Sequence, residues 1–281
     1  MIKTILEKFN IKNPDKISQC INQEDGSTYN VWEIDYEGKK YILKQTKGLE
    51  KEIYEKISPR VGIPEYFGST ILEDKEYLLI EYISGCDLCK CKREQLIKVL
   101  DALINIQNIY WDKDDKIGYA FNEGYQSCQK RKEYLKDSLI EQAYERFLAV
   151  YSKIPRTLCH NDLLPFNVII NDKAYIIDWE QAGILPYALP IVRLIAHGQS
   201  DENALFYMSD DDKKFAIEYY YCNFIKNKNI DYLEYLKTIN YFLLYEYTEW
   251  IMLGNKYEDA DKERFIYYKT LAINHILENK L

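Results

Sequence analysis

Apolar and polar residues alternate through most of the first third of the chain, which is the pattern of half-buried strands. The runs at 31–36 and 40–44 are separated by Glu37 and Gly38, a turn pair, and together they predict a β-hairpin. One helix is predicted in this region, over residues 49–58. Turn chemistry is expected at 25–28, and three further short apolar runs predict strands at 17–21, 66–72 and 77–82.

After the first third, the apolar residues recur with the spacing of helices. Two short apolar runs interrupt this spacing at 168–170 and 175–177, and the polar pair between them predicts a second hairpin. The expected fold class is α+β. A small β-rich lobe with one helix is expected over residues 1–84, and a larger, mainly helical lobe over residues 85–281. The predicted helices of the larger lobe lie at 95–110, 124–152, 210–226, 230–253 and 259–281.

Composition narrows the class of protein. The 281 residues are 47% hydrophobic and carry 37 Lys and Arg against 45 Asp and Glu, a formal net charge of −8. This composition is typical of a globular chain and excludes a disordered one. An acidic balance offers no basic surface to nucleic acid, and it fits either ordinary solubility charge or a preference for cationic small molecules. No membrane span is expected, and seven cysteines with no secretory signal before them predict a cytoplasmic protein with reduced thiols.

The segment 159–167 carries the strongest chemical signal. It places His160, Asp162 and Asn167 in the pattern H-x-D-x-x-x-x-N, and Asp178 follows eleven residues after Asn167, at the end of the second predicted hairpin. Transfer of a phosphoryl group from ATP needs a carboxylate at the acceptor hydroxyl and oxygen ligands for Mg²⁺ at the phosphates. A loop that supplies Asp and Asn, with a hairpin that returns a second Asp to the same place, meets both needs.

These motifs resemble the aminoglycoside phosphotransferase and choline kinase-like family of the protein kinase-like superfamily, and the resemblance extends from about residue 26 to residue 250. It implies a bilobal protein kinase-like fold. It also implies that Asp162 is the catalytic base, that Asn167 and Asp178 bind Mg²⁺, and that His160 supports the loop. Trp179 and Glu180 follow Asp178 and no A-P-E segment is found, which disfavours a protein kinase.

The resemblance implies a nucleotide site, for ATP or GTP, in the smaller lobe. Lys44 ends a predicted strand and is expected at the α- and β-phosphates. Its expected acidic partner is Glu50, which shares a helix face with two isoleucines, while Glu52 and Glu55 stay open as alternatives. The backbone N–H groups of Ser27 and Thr28 are candidates for phosphate contacts. A hinge near 82–85 is expected to hold adenine, with backbone groups from Glu81 to Ile83 and walls from Ile42 and Ile177.

The acceptor is expected to bind in the larger lobe, where it can reach Asp162. Glu246, Glu249 and Trp250 have the spacing of one helix face, and carboxylates beside an aromatic ring suit a cation. Glu180, in the D-W-E segment, is a further candidate. The alternative is that this aromatic stripe belongs to the core.

The expected function is therefore ATP- and Mg²⁺-dependent transfer of a phosphoryl group to a hydroxyl of a small cationic molecule, in the manner of aminoglycoside phosphotransferases. The alternatives are a kinase of a choline-, ethanolamine- or thiamine-type metabolite, or a nucleotide-binding protein with weak catalysis. Neither nucleic acid nor membrane is expected as a partner. The chain is expected to act as a monomer or a homodimer.

Overall fold

Five antiparallel strands form the sheet of the N-terminal lobe. The computed structural model describes residues 1–21, 26–46, 49–57, 62–113, 116–258 and 260–281. Asp25, Ser58 and Asp259, which belong to predicted elements, lie outside the described residues. The strand order in the sheet is β1-β2-β3-β5-β4. The strands are β1 (Lys16–Ile21), β2 (Thr28–Tyr36), β3 (Lys39–Thr46), β4 (Tyr66–Leu72) and β5 (Lys75–Glu81).

The two faces of this sheet pack on different partners, because successive side chains of a strand point to opposite sides. On β5, Tyr77 and Leu79 join a cluster with Ile5 of the short helix α1 (Ile2–Lys8). Leu78 and Ile80 instead join the core that continues into the helical lobe. Helix α2 (Glu50–Ile57) packs on this second side. The predicted strands and the predicted helix at 49–58 are therefore found, and α1 is an additional helix that the charged start of the chain does not suggest.

The larger lobe is mainly helical, with two small sheets at the side that meets the first lobe. Strands β6 (Arg156–Cys159) and β9 (Gly183–Pro186) form one of them, and β7 (Val168–Ile170) with β8 (Ala174–Ile176) forms the predicted second hairpin. No helix within the described ranges is both long and apolar enough to cross a membrane. The helices are α3 (Arg93–Tyr110), α4 (Phe121–Lys132), α5 (Ser138–Tyr151), α6 (Ala188–Ala196), α7 (Asp210–Asn223), α8 (Tyr232–Lys256) and α9 (Lys262–Asn279).

The single helix predicted over 124–152 is wrong, because two helices, α4 and α5, occupy this stretch. Lys136 has a positive φ of 50°, which an α-helix does not accommodate. Asp137 then caps α5, since its carboxylate accepts hydrogen bonds from the backbone N–H groups of Leu139 and Ile140. Helix α6 is not predicted by periodicity because nearly all of its residues are buried, so no polar face marks it.

The segment that joins the two lobes lies against the second hairpin. Cys86 and Ile170 exchange two backbone hydrogen bonds, of 3.0 and 2.7 Å. A Cβ added to Gly85 would lie 2.5 Å from the carbonyl oxygen of Ile170, so this close approach requires glycine. The linker is thereby held at the hairpin whose open end is flanked by Asn167 before β7 and Asp178 after β8.

Candidate active site

His160 connects the two chain segments that carry the candidate chemistry. Its Nε2–H donates to the carbonyl of Ile177 at 2.7 Å, directly before Asp178. The ring is buried and packs edge-on against Trp179, at 4.8 Å between centroids. Burial lowers the pKa of His160, so the neutral form with its hydrogen on Nε2 is favoured. This geometry agrees with a supporting role for His160 rather than a contact with reactants.

Asp162 and Asn167 are fixed by hydrogen bonds within their own loop. The side-chain N–H of Asn167 donates to the main-chain carbonyl of Asp162 at 2.8 Å, and the N–H of Leu164 donates to the same carbonyl at 2.8 Å. The carbonyl of Asn167 accepts from the N–H of Ile177 at 3.0 Å. Because the amide nitrogen of Asn167 is used in this way, its side-chain oxygen is left to act as an acceptor or ligand.

Asp178 follows β8 in a left-handed backbone conformation, with φ of 65° and ψ of 59°. Asp tolerates this region better than most residues, and non-glycine residues in it are frequent at functional sites. The next residue, Trp179, is buried, and its indole N–H donates to the carbonyl of Ile176 at 2.8 Å. The buried ring of Trp179 therefore anchors the turn after β8, and the carboxylate of Asp178 lies directly before this anchor.

Lys44 joins the two lobes through two ion pairs. Its Nζ lies 2.8 Å from Glu50 Oε2 and 2.5 Å from Asp178 Oδ1. Burial alone would lower the pKa of Lys44, but the charges of Glu50 and Asp178 outweigh it and raise that pKa. The predicted Lys44–Glu50 pair is thus confirmed as a contact. The two other candidate partners of Lys44 lie near different lysines. Glu52 pairs with Lys56 at 2.6 Å, and Glu55 lies 3.9 Å from Lys51.

The remaining residues of the predicted nucleotide site have the following positions. Ile42 lies two residues before Lys44 on β3 and therefore on the same side of the sheet. Ile177 directly precedes Asp178, and Ile83 is buried just beyond the end of β5. The N–H of Glu81 donates to the carbonyl of Glu65 at 2.8 Å. Ser27 and Thr28 are exposed at the start of β2, near the strand pair formed by Val31 and Lys44.

Arg193 is a central residue of the site that the motifs do not indicate. Its Nε and Nη2 donate to Asp162 Oδ1 at 3.1 and 3.0 Å. Its Nη1 donates to Glu246 Oε2 at 2.8 Å and to Glu249 Oε2 at 2.6 Å. It is the one charged residue within α6, whose other residues are apolar. An isolated arginine in such a helix is the signal that could have drawn attention to it, since a buried charge is paired as a rule.

The buried carboxylate of Glu246 is kept ionised by the charge of Arg193. The Glu246 side chain is only 5% exposed, and its Oε2 also lies 3.3 Å from His197 Nε2. Burial would raise the pKa of Glu246, but the charge of Arg193 and the contact with His197 overcome it and lower the pKa to about 2. The carboxylates of Glu246 and Glu249, together with His197, lie within 4.8 Å of one another, as metal ligands would. The guanidinium of Arg193 already stands between the carboxylates, so we assign no metal to them.

The four side chains expected to receive a cation have different surroundings. Glu246 and Glu249 border a polar cavity of about 300 Å³ next to Asp162, which Arg131, Tyr245 and Arg193 also line. Trp250 lies in the neighbouring surface, where the guanidinium of Arg264 covers its ring at 4.6 Å. Glu180 is exposed in the short 3-10 helix after Asp178. Of these four residues, Glu246 and Glu249 lie near Asp162, and the carboxylates of both bind Arg193.

The fold and the site together define the class of protein. A five-stranded antiparallel lobe carries a Lys–Glu pair over a helical lobe with an H-x-D-x-x-x-x-N loop, and a hairpin ending in Asp follows the loop. This is the architecture of the protein kinase-like superfamily. The chain belongs to the phosphotransferase enzyme family, whose sequence model matches residues 23–212, more than half of its length.

Solved structures of this fold are similar over most of the chain. A protein assigned as a fructosamine-3-kinase, from Haemophilus somnus 129PT, is 12% identical with a TM-score of 0.59, and the match covers 98% of this chain and 96% of that one. An aminoglycoside phosphotransferase from Alicyclobacillus acidocaldarius is 13% identical with a TM-score of 0.59, over 94% and 89% of the two chains.

A third structure was determined with ligands. It is the aminoglycoside phosphotransferase APH(3'')-Id of Streptomyces rimosus, in complex with ADP and streptomycin. It is 13% identical with a TM-score of 0.51, and the match covers 77% of this chain and 88% of that one. No curated protein matches the sequence. At these identities the neighbours establish the fold, and they leave the acceptor open.

Proposed function

We propose that the protein is a small-molecule kinase, which transfers the γ-phosphoryl group of ATP to a hydroxyl with the help of Mg²⁺. The observation that carries this proposal is the double ion pair of Lys44 with Glu50 and Asp178. It connects the sheet of one lobe to the hairpin of the other, at the place where we expect the phosphates to lie. A kinase needs this lysine and this carboxylate in one cleft.

The residues present fit a magnesium ion. Asn167 uses its side-chain nitrogen within the loop, which leaves its oxygen, and Asp178 uses Oδ1 for Lys44. Oxygen atoms from an amide and a carboxylate are the ligands that Mg²⁺ prefers, with phosphate oxygens and waters completing its shell. When bound, the ion neutralises charge that develops on the transferred group. Asn167 and Asp178 are the residues that would hold it.

The other roles follow from position. Asp162 lies at the polar cavity and is proposed to receive the proton of the acceptor hydroxyl. Lys44 is proposed to hold the α- and β-phosphates, with Glu50 as its buried anchor, and the backbone of Ser27 and Thr28 to cover the phosphates. His160 would fix the position of the 159–167 loop relative to the segment that carries Asp178. Most of the catalytic effect would come from positioning and from fixed charges.

Adenine is proposed to bind at the hinge. The apolar walls would be Ile42 and Ile177, on the two lobes. Since the N–H of Glu81 is bonded to the carbonyl of Glu65, we expect the donor to the base to come from the backbone of Ile83 instead. This arrangement would bind the adenine of ATP. Binding of GTP would need the hydrogen-bond donor and acceptor of the hinge backbone to be in exchanged positions.

The acceptor is proposed to be a small molecule with a hydroxyl group that fits the polar cavity beside Asp162, as in aminoglycoside phosphotransferases. A cationic group of the acceptor would meet carboxylates there, but Glu246 and Glu249 already bind Arg193. An acceptor cation must therefore share these carboxylates with Arg193. A choline-, ethanolamine- or thiamine-type alcohol is the second candidate, because its reactive end is small enough for a cavity of about 300 Å³.

The test is ATP consumption with Mg²⁺ over a panel of aminoglycosides, macrolides, choline, ethanolamine, thiamine and simple sugars. Stimulation by one class names the acceptor family. Asp162→Asn should lower kcat about 10²- to 10⁴-fold, the usual effect of losing a general base. Asp211→Asn, on the exposed start of α7, is the matched control. Binding of Mg²⁺-ATP should persist in Asp162→Asn, and near-normal turnover by this variant would contradict the assignment.

A further inference from the structure

A second, larger cavity of about 650 Å³ lies beside the polar cavity. Its walls are mostly apolar and aromatic. They come from α8, from α9 and from the loop between α6 and α7. We call it the apolar cavity, and the side chains that give it this character are Leu205, Phe206, Trp250, Leu253, Tyr267 and Tyr268. Small-molecule sites in proteins have volumes of about 300 to 1,000 Å³ and are lined in this way.

The apolar cavity adjoins the candidate acceptor site. Arg193 and Glu249 line both cavities, so the two spaces meet at this ion pair. Leu164, which follows Asp162 in the catalytic loop by two residues, lines the apolar cavity as well. The rings of Phe166 and Phe206 pack at 5.7 Å, which attaches the outer wall to the same loop. A molecule with its hydroxyl at Asp162 can therefore extend into this space.

Three of the four charged side chains around the apolar cavity have ion partners in the chain, and the fourth, Glu263, is exposed. Arg193 binds Glu249, and Arg264 lies over Trp250 while it also pairs with Asp261 at 3.3 Å. An aromatic face that already carries a guanidinium has less to offer a cation from outside. Beside Glu263, the cavity presents a large apolar surface to a ligand, including Leu205 and Tyr267, which are 57% and 51% exposed.

We propose that the acceptor has two parts: a hydroxyl-bearing polar end that lies at Asp162 and an uncharged aromatic or apolar body that fills the apolar cavity. This inference rests on the proposed kinase function and names the class of its substrate. It separates the protein from kinases of wholly polar acceptors, because such molecules would leave the walls formed by Leu205, Trp250 and Tyr267 in water.

The test uses matched pairs of alcohols that differ only by an aromatic ring. Suitable pairs are N-methylethanolamine with N-benzylethanolamine, and choline with its N-benzyl analogue, and in each pair one methyl is replaced by benzyl. Dissociation constants are measured by calorimetry in the presence of Mg²⁺-ADP, and ATP consumption is measured with the same compounds. Burial of a phenyl ring is expected to tighten binding about 10-fold or more. Because both members of a pair carry the same cation and hydroxyl, the comparison isolates the ring.

A variant that narrows the apolar cavity sharpens the test. Leu205→Trp adds bulk at an exposed position of the wall, where it should not disturb folding, and it is expected to abolish the preference for the benzyl compounds. Leu233→Trp is the control, since Leu233 is 74% exposed at the start of α8, outside both cavities. It should retain the preference.

The outcomes separate the inference from the function on which it rests. Equal or weaker binding of the benzyl members, no binding of any pair, or an unchanged preference in Leu205→Trp would overturn the inference. Binding of Mg²⁺-ADP without the alcohols reports on the nucleotide site alone. If the nucleotide does not bind, the kinase function fails, whatever the alcohols show. If it binds and the polar members are preferred, only the inference fails.

Discussion

Arg193 holds one carboxylate oxygen of Asp162 with two of its nitrogens, since Nε and Nη2 lie 3.1 and 3.0 Å from Oδ1. Among the residues that the structure describes, no hydrogen bond ends on Oδ2 of Asp162. The guanidinium thus fixes the carboxylate at one oxygen, and the other oxygen is the one available to the proposed acceptor hydroxyl. The same guanidinium binds Glu246 and Glu249, so the orientation of Asp162 is coupled to helix α8.

Arg193→Gln is therefore expected to lower kcat about 10²-fold, the scale of a small displacement of a reacting group. The KM for ATP should change little, because Arg193 contacts no residue of the proposed nucleotide site. Arg193→Lys keeps the charge but cannot donate twice to one oxygen, and it should recover only part of the rate. Steady-state kinetics with the stimulating acceptor measure these effects. Arg146→Gln, exposed on α5, is the control, and an unaltered kcat in folded Arg193→Gln would exclude the positioning role.

Glu246 makes the stability of the protein depend on acid pH. Its pKa in the folded state is about 2, against an ordinary value of 4.5. The unfolded chain therefore binds the proton first, and the stabilisation is present above about pH 4.5 and is lost as the pH falls toward 2. The contribution is on the order of 3 kcal/mol.

Urea unfolding of the wild type and of Glu246→Gln between pH 3 and 7 measures this contribution. The free energy of unfolding should fall with acid in the wild type more steeply than in the variant. Glu258→Gln, at an exposed glutamate, should follow the wild type. Parallel curves for wild type and Glu246→Gln would mean that Arg193 does not stabilise this carboxylate.

The arrangement of the 159–167 loop could be predicted because its pattern is local. His160, Asp162 and Asn167 lie within eight residues, and the hairpin that brings Asp178 to them is a short alternating run with a turn. The pairing of Lys44 with Glu50 is also local, six residues apart, and the helical face of Glu50 indicates it. In each case the sequence spacing determines the spatial neighbour.

The contacts of Arg193 could not be predicted in this way. They join positions 31, 53 and 56 residues apart, on helices whose crossing is decided by packing of the whole lobe. Nothing in the spacing of Glu246 and Glu249 reveals that an arginine of α6 lies between them. The wrong prediction of a single helix over 124–152 has a related cause. The apolar periodicity continues past the break at Lys136 and the cap at Asp137, so the pattern does not show where one helix ends and the next begins.

The close contact at Gly85 gives a prediction for nucleotide binding. Gly85→Ala must move the linker away from Ile170, because the added Cβ would lie 2.5 Å from a backbone oxygen. We expect a loss of stability of about 1–3 kcal/mol and weaker binding of Mg²⁺-ATP, since the proposed hinge shifts with the linker. Gly38→Ala is the control. It has a positive φ of 74° but nothing within 4 Å, so it should cost stability without affecting nucleotide binding. Calorimetric titration with Mg²⁺-ATP distinguishes the two, and unchanged affinity in Gly85→Ala would place adenine elsewhere.

The Lys44–Glu50 pair can be tested against a second Lys–Glu pair, which lies within helix α2, the helix that carries Glu50. Lys44→Met should weaken binding of Mg²⁺-ATP about 10- to 100-fold, the usual value of a charge-assisted hydrogen bond, if Lys44 contacts the phosphates. The exposed pair Lys56–Glu52 provides the controls Lys56→Met and Glu52→Gln, which should bind nucleotide as the wild type does.

Glu50→Gln tests the buried anchor itself. Without the charge of Glu50, Lys44 keeps one anionic partner, Asp178, and should be drawn toward it. Because Asp178 is a proposed ligand of Mg²⁺, the variant is expected to need more Mg²⁺ for half-maximal rate, with a lower kcat. Glu52→Gln should leave the Mg²⁺ requirement as it is. A Mg²⁺ titration of ATP consumption measures this difference. If Glu50→Gln and the wild type need the same Mg²⁺ concentration, Lys44 and the metal do not compete for the carboxylate of Asp178.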